Sequence, residues 1–183
     1  MENSKTNTDN SFLPENYEAP TSGGYMKLKD GDNRFRVLSK PIIGWLDWDD
    51  KRPVRFPYKE KPLKPLDSTK PVKHFWAFVV YNYNEKAVQI LEVTQATLQT
   101  QISVLSKDED WGSPFEYDLK VNRSGQAMET KYNVIACPKK AITDDIMAVA
   151  DAKPICLQSL FDGTDPFQKG GVVTPLFYQG LPF

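Results

Sequence analysis

Hydrophobic and polar positions alternate along much of the chain, and turn-forming residues close each run. The first run, "DGDNRFRVL" at residues 30–38, puts Phe35 and Val37 on one face and Arg34 and Arg36 on the other. That is the pattern of a half-buried strand. It extends past Pro41 into "IIGWLDW", with Gly44 at a bend or bulge. Two runs rich in aromatic and β-branched residues, 72–83 and 86–93, flank "NYNEK" and predict a β-hairpin. The period then changes. Leu98, Ile102 and Leu105 fall at helical spacing, with Thr94 or Thr97 as the cap and an end near Lys107. A second hairpin, 115–123 with 130–136, follows inside "WGSPFEYDLKVNRSGQAMETKYNV". "ITDDIMAVAD" predicts a short helix whose Asp144 and Asp145 favour its N-terminal dipole.

Three segments lack a period. Residues 1–24, rich in Asn, Ser, Thr, Glu and Pro, read as a mobile tail. Residues 49–72 hold five prolines and read as a long loop, a type of segment that is usually functional or disordered. From Lys153 on, Pro and Gly predict irregular, partly mobile chain.

The order strand, strand, strand, helix, strand, strand predicts a mainly β fold. A five-stranded Greek-key barrel with its helix between strands three and four is the order of an OB-fold. The expected divisions are a tail over 1–24, a barrel over 25–140 containing the basic loop 48–73, and a short helix with a C-terminal tail over 141–183.

Composition narrows the function. Net charge is −1, so binding to an anionic polymer has to come from local segregation of charge. Between Lys51 and Lys73 stand eight basic residues against two acids, so this short stretch is strongly positive while the remainder is acidic. Trp48, Phe56 and Tyr58 lie in or beside it. Cations along a groove and aromatic faces for stacking are what a single-strand binder needs. On the 73–83 strand, Lys73, Phe75, Ala77, Val79, Tyr81 and Tyr83 share one face, while His74, Trp76, Phe78 and Val80 share the other. Both faces are apolar, so the strand is central, and the sequence leaves open which set is exposed.

Catalysis has little support. The single histidine, His74, sits between bulky apolar residues and reads as a packed imidazole. "DWDD" at 47–50 offers oxygen ligands for Mg²⁺ but lacks further clustered carboxylates. Cys137 and Cys156, with one histidine, do not complete a usual four-ligand zinc site, so no metal and no cofactor are expected; the two cysteines read as reduced thiols, with a bridge between them as the alternative. No apolar run is long enough to span a bilayer, and the polar N-terminus has no signal core, so a cytoplasmic protein without membrane contact is expected.

The second hairpin and its surroundings resemble phage-type single-stranded DNA-binding (helix-destabilising) proteins. The resemblance rests on Trp111, Gly112 and Pro114; on Tyr117, Asp118, Leu119, Val121, Arg123 and Gly125; and on Thr130, Tyr132 and Val134. "NRFRVL" and "KHFWAFVVYNYNEKAVQILEVT" also look like that family's first three strands, so it covers about residues 30–140. It implies an OB-fold that coats single-stranded DNA in replication, recombination or repair in a bacterial host, without strong sequence preference. Some members carry a structural zinc on His and Cys; this chain lacks those ligands. The terminal Pro182-Phe183 resembles the tip of bacterial single-stranded DNA-binding proteins, which implies docking of replication or recombination proteins on the tail, although the usual acidic run before it is nearly missing.

The expected phosphate contacts are Lys51, Arg52, Arg55, Lys59, Lys61, Lys73, Lys120 and Arg123, with Arg36 added from the first strand. The expected stacking residues are Trp48, Phe56, Tyr58, Trp76 and Tyr81. Two rivals stand beside this reading: a protein-interaction adaptor, which needs no exposed stacking aromatics, and a metal-dependent nuclease using "DWDD".

Overall fold

The computed structural model describes residues 23–179; the terminal Pro182-Phe183 and most of the N-terminal tail lie outside that range. The alternating runs become seven strands: β1 (Gly31–Val37), β2 (Ile42–Asp49), β3 (Arg52–Pro57), β4 (Lys73–Asn82), β5 (Ala87–Val93), β6 (Asp118–Ser124) and β7 (Lys131–Ala136). Helix α1 (Ala96–Lys107) lies between β5 and β6, and α2 (Asp144–Ala152) and the short α3 (Ser159–Asp162) follow β7. The fold is mainly β, with one antiparallel sheet in the order β3-β2-β4-β1-β6-β7 and β5 on the other edge of β4.

Two corrections explain why there are seven strands and not five. The first predicted strand is divided at Ser39–Pro41 into β1 and β2, which lie in line along β4: Val37 pairs with Val80 and Ile42 with Ala77. The break is tied down locally, because Leu38 N–H donates to the Val79 carbonyl and Val79 N–H to Ser39 Oγ, both at 2.9 Å. Second, the predicted loop at 49–72 contains strand β3, which pairs with β2 from Gly44↔Pro57 to Asp49↔Arg52. Its two prolines disguise it, yet β3 ends the strand order, and an edge strand tolerates missing donors. Gly44 is required here: a Cβ at this position would run into the Phe56 carbonyl.

The sheet is open, not a closed barrel. The free edge of β5 is taken by the incoming chain: Ile90 N–H donates to Gly24 O (2.7 Å) and Met26 N–H to Ile90 O (2.8 Å), around a parallel bridge between Tyr25 and Ile90. At β7, the Gln101 amide from α1 accepts from Val134 N–H (2.8 Å) and donates to Tyr132 O (2.9 Å). Both edges that a closing ladder would use therefore have other partners. The helix itself starts from Gln95 with no side-chain cap, so neither Thr94 nor Thr97 serves that role.

β4 is central, as its two apolar faces predict, and both faces are buried in separate cores. One core holds Phe78, Val80, Leu91, Val93, Leu98, Ile102, Tyr117 and Leu119. The other holds Phe75, Ala77, Val79, Tyr81, Val88 and Ile90 on the sheet, covered by Ile146, Ala150, Ile155, Leu157, Leu160 and Leu176. The chain beyond Lys153 is therefore packed: Leu157 and Cys156 are buried, and Phe177 N–H donates to Leu38 O at 2.8 Å. Both cysteines are free thiols.

Arg36 and Asp118, paired across β1 and β6, are both buried. Asp118 Oδ1 accepts from Arg36 Nε (2.7 Å) and Tyr83 Oη (3.0 Å), and Oδ2 accepts from Arg34 Nη2 (2.6 Å) and lies 3.2 Å from Lys140 Nζ. Arg36 also donates to the carbonyls of Phe115 and Lys140. Burial alone would raise the Asp118 pKa; hydrogen bonds from Arg34 and Arg36, with Lys140, outweigh it and hold the carboxyl below its ordinary value. Burial, then the Asp118 charge, push the Tyr83 phenol up to about 12.

A carboxyl depressed in the native state binds fewer protons there than when unfolded, so its contribution is complete above about pH 4, the unfolded value, and is lost as pH falls through the lower folded value. Asp118→Asn should remove that acid-limb dependence in denaturant titrations and cost about 3–5 kcal/mol by leaving Arg36 buried and unpaired. Gln101→Leu strands two backbone groups at the β7 edge and should cost about 1–3 kcal/mol, with faster amide exchange at Val134.

Candidate nucleic-acid interface

The β2–β3 hairpin and the chain from Tyr58 to Val72 gather the exposed aromatics and cations at one end of the sheet. Trp45 in β2 is flanked across the ladders by Phe56 and His74, so the three side chains share a face. Tyr58, two positions beyond Phe56, stacks on Trp45 with ring centroids 6.0 Å apart and planes 14° apart. The Trp45 indole N–H donates to the Tyr58 carbonyl at 2.9 Å, which anchors the backbone, while Tyr58 as a whole is 59% exposed. Lys61 Nζ lies 4.4 Å from the Trp45 ring centroid, a cation–π contact. Next along the same face, Ile43 pairs with Trp76. They open into an apolar groove of about 230 Å³ that Phe78, Ile102, Pro114 and Phe115 also line, with Lys40 at its wall.

Asp47 orders this region. It is buried, and its carboxylate accepts from Trp48 N–H (2.8 Å) and, across the loop, from Leu66 N–H (3.0 Å). The "DWDD" stretch is thus engaged structurally, since Asp49 pairs with Arg52 at 3.0 Å and Asp50 forms the hairpin turn at φ +55°. Among the described residues no three His, Cys, Asp or Glu gather in a way that would hold a metal ion.

The residues expected from the sequence divide into three groups. Lys51, Arg52, Lys59 and Lys61 are exposed on the hairpin and its loop, with Lys64 beside them. Tyr58 is exposed, and Phe56 and Trp76 are half-buried on the Trp45 face. Lys73 is exposed, but strand alternation turns it to the face opposite His74.

Others are engaged within the fold by packing or ion pairs. Arg36 is 1% exposed and spent on Asp118, and Tyr81 is inside the core. Arg55 pairs with Glu92 at 2.7 Å, lies over the Phe75 ring and is only 11% exposed. Trp48 packs against the core, with Lys70 over its ring. Lys120 and Arg123 pair with Asp32 and Asp30, and β6 meets β1 beyond the far end of β4. About 30 Å of extended strand separates them from the hairpin. The outer face of β4–β5 is covered by the C-terminal segment, so no open cleft exists between loop and sheet on that side.

Sequence reading missed Trp45 and assigned His74 only to packing. The signal was present: Trp45 shares the alternation of Ile43 and Asp47. It becomes legible only when residues 52–57 are placed as a neighbouring strand, because that pairing brings Tyr58 onto the indole. Chemically, this surface offers π-faces and mobile ammonium groups. No family model, no curated protein and no solved structure matches the chain.

Proposed function

We propose that the protein is a non-enzymatic single-stranded DNA-binding protein of the phage type. In this reading it coats single strands without strong sequence preference during replication, recombination or repair in a bacterial host's cytoplasm. One observation carries the proposal: an exposed Tyr58 stacked on Trp45, where the hairpin and its loop carry Lys51, Lys59, Lys61 and Lys64 with no carboxylate partner among the described residues. Exposed aromatics beside unpaired cations suit bases and phosphates, respectively. The Lys61 ammonium rests over the Trp45 indole, and on binding it moves to a phosphate. An OB-type path suits the strand order in this reading, with β1–β2 as one bent first strand, β3 as an added arm of its hairpin, and β4, β5, α1, β6 and β7 following. The departure is that the C-terminal segment covers the face such folds commonly use, which shifts the strand to the hairpin end. No helix among the described residues is long and apolar enough to cross a membrane.

One observation favours the adaptor reading: Leu63 is fully exposed and Leu66 is 58% exposed on the same loop. An adaptor would lose partner binding when these change, with no dependence on Tyr58 stacking.

Fluorescence anisotropy with labelled oligo-dT and a matched duplex, at two salt concentrations, tests the proposal. The single strand should bind preferentially, with a log–log salt slope of about −0.7 per phosphate contact. Tyr58→Ala should lower affinity by about 1–3 kcal/mol with little change in slope. Lys59→Glu with Lys61→Glu should flatten the slope. Absence of binding at low salt would overturn the reading. Arg55→Glu is unsuitable as a probe, because it breaks the pair with Glu92 and destabilises the sheet.

A further inference from the structure

The chain's only histidine has a fixed tautomer and an unused acceptor. Gln99 Nε2 donates to two backbone carbonyls, Val93 O at 2.9 Å and His74 O at 3.3 Å. Only an amide NH₂ bonds two carbonyls, so Gln99 Oε1 is the atom 3.2 Å from His74 Nδ1. Nδ1 therefore carries the hydrogen, and Nε2 of the neutral ring is an acceptor. Nε2 is buried and has no hydrogen-bond partner among the described residues. Buried polar atoms are rarely left this way without a reason. The ring is flanked by Trp45, with centroids 5.2 Å apart, and by Tyr58, at 5.8 Å. Tyr58 is the exposed member of the three; its backbone carbonyl is hydrogen-bonded to Trp45 and its ring is held by stacking alone. The Tyr58 ring lies against both the indole and the imidazole.

We propose that His74 Nε2 reads the Watson–Crick edge of a base that inserts between the Trp45 and Tyr58 rings, so that Tyr58 stacks on its outer face. The proposal rests on the strand-binding reading above and adds to it the source of single-strand selectivity. Each of the four bases carries an N–H donor on its pairing edge. In a duplex that donor is engaged by the complementary base, and in a single strand it is free. The amino hydrogens of adenine, cytosine and guanine that pairing leaves free point into the grooves, and a paired base stays in its stack; a lone acceptor beside a stacking platform therefore reaches the pairing-edge hydrogen of an unpaired base, which gives selectivity for single strands without sequence preference.

The test uses the wild-type chain with oligo-dT and with the same oligonucleotide made from N3-methylthymidine, whose pairing-edge donor is replaced by a methyl group. Phosphates and ring faces are unchanged. With one histidine, the imidazole ¹⁵N spectrum is unambiguous. Oligo-dT should move the Nε2 resonance and the methylated strand should not. Affinity should fall several-fold, up to about tenfold, on methylation with the salt slope preserved. His74→Phe should bind both strands equally. If both strands bind wild type equally and Nε2 does not move, His74 has no such role while strand binding stands. If neither strand binds at low salt, the strand-binding reading fails and this inference fails with it.

Discussion

A carboxylate shut away from water fixes the arrangement of this protein. Asp118 is 0% exposed and gathers Arg34 and Arg36 from β1, Tyr83 from the end of the β4 strand, and Lys140 from the approach to α2. A one-residue slip of β1 against β6 would turn these donors to the wrong face, so the pair sets register as well as charge balance. Arg36 extends the effect, because its remaining donors hold the Phe115 and Lys140 carbonyls and so fix where the chain leaves the sheet. From that point α2 and the segment beyond it close over β4 and β5. What stays open is the far end of the sheet, where the β2–β3 hairpin projects.

The cations divide accordingly. Arg34, Arg36, Arg55 and Arg123 have carboxylate partners, with Arg36 and Arg55 also packed into the fold. The lysines of the hairpin and its loop are mostly exposed and unpaired, and an ammonium on a flexible stem suits mobile phosphate contacts. The loop that carries them is ordered all the same, through Asp47 on the Leu66 amide and Trp45 on the Tyr58 carbonyl. A loop already ordered loses less entropy on binding.

Most of the fold was legible in the sequence, because period-2 alternation and turn residues mark β4 to β7 and the helical spacing of Leu98, Ile102 and Leu105 marks α1. β3 was hidden by Pro53 and Pro57, which read as loop unless the strand is known to lie at an edge. Arg36 looked like a solvent-facing charge from alternation alone; that face is in fact buried, and the partner that makes burial tolerable stands more than eighty residues away. The packed C-terminal segment was missed because Pro and Gly dominate it, while its core residues, Ile155, Leu157, Leu160 and Leu176, follow no period. Of the candidate site, the charge was plain from sequence; the aromatic pairing was not, since it depends on which strands are neighbours.

The most direct test of the account is a titration of oligo-dT followed by the four tryptophan indole N–H resonances. Trp45 and Trp76 share the proposed binding face, while Trp111 packs against Tyr117 in the α1 core. The Trp45 signal should move most, Trp76 should follow, and Trp111 should stay in place. Binding that leaves Trp45 unmoved would contradict it.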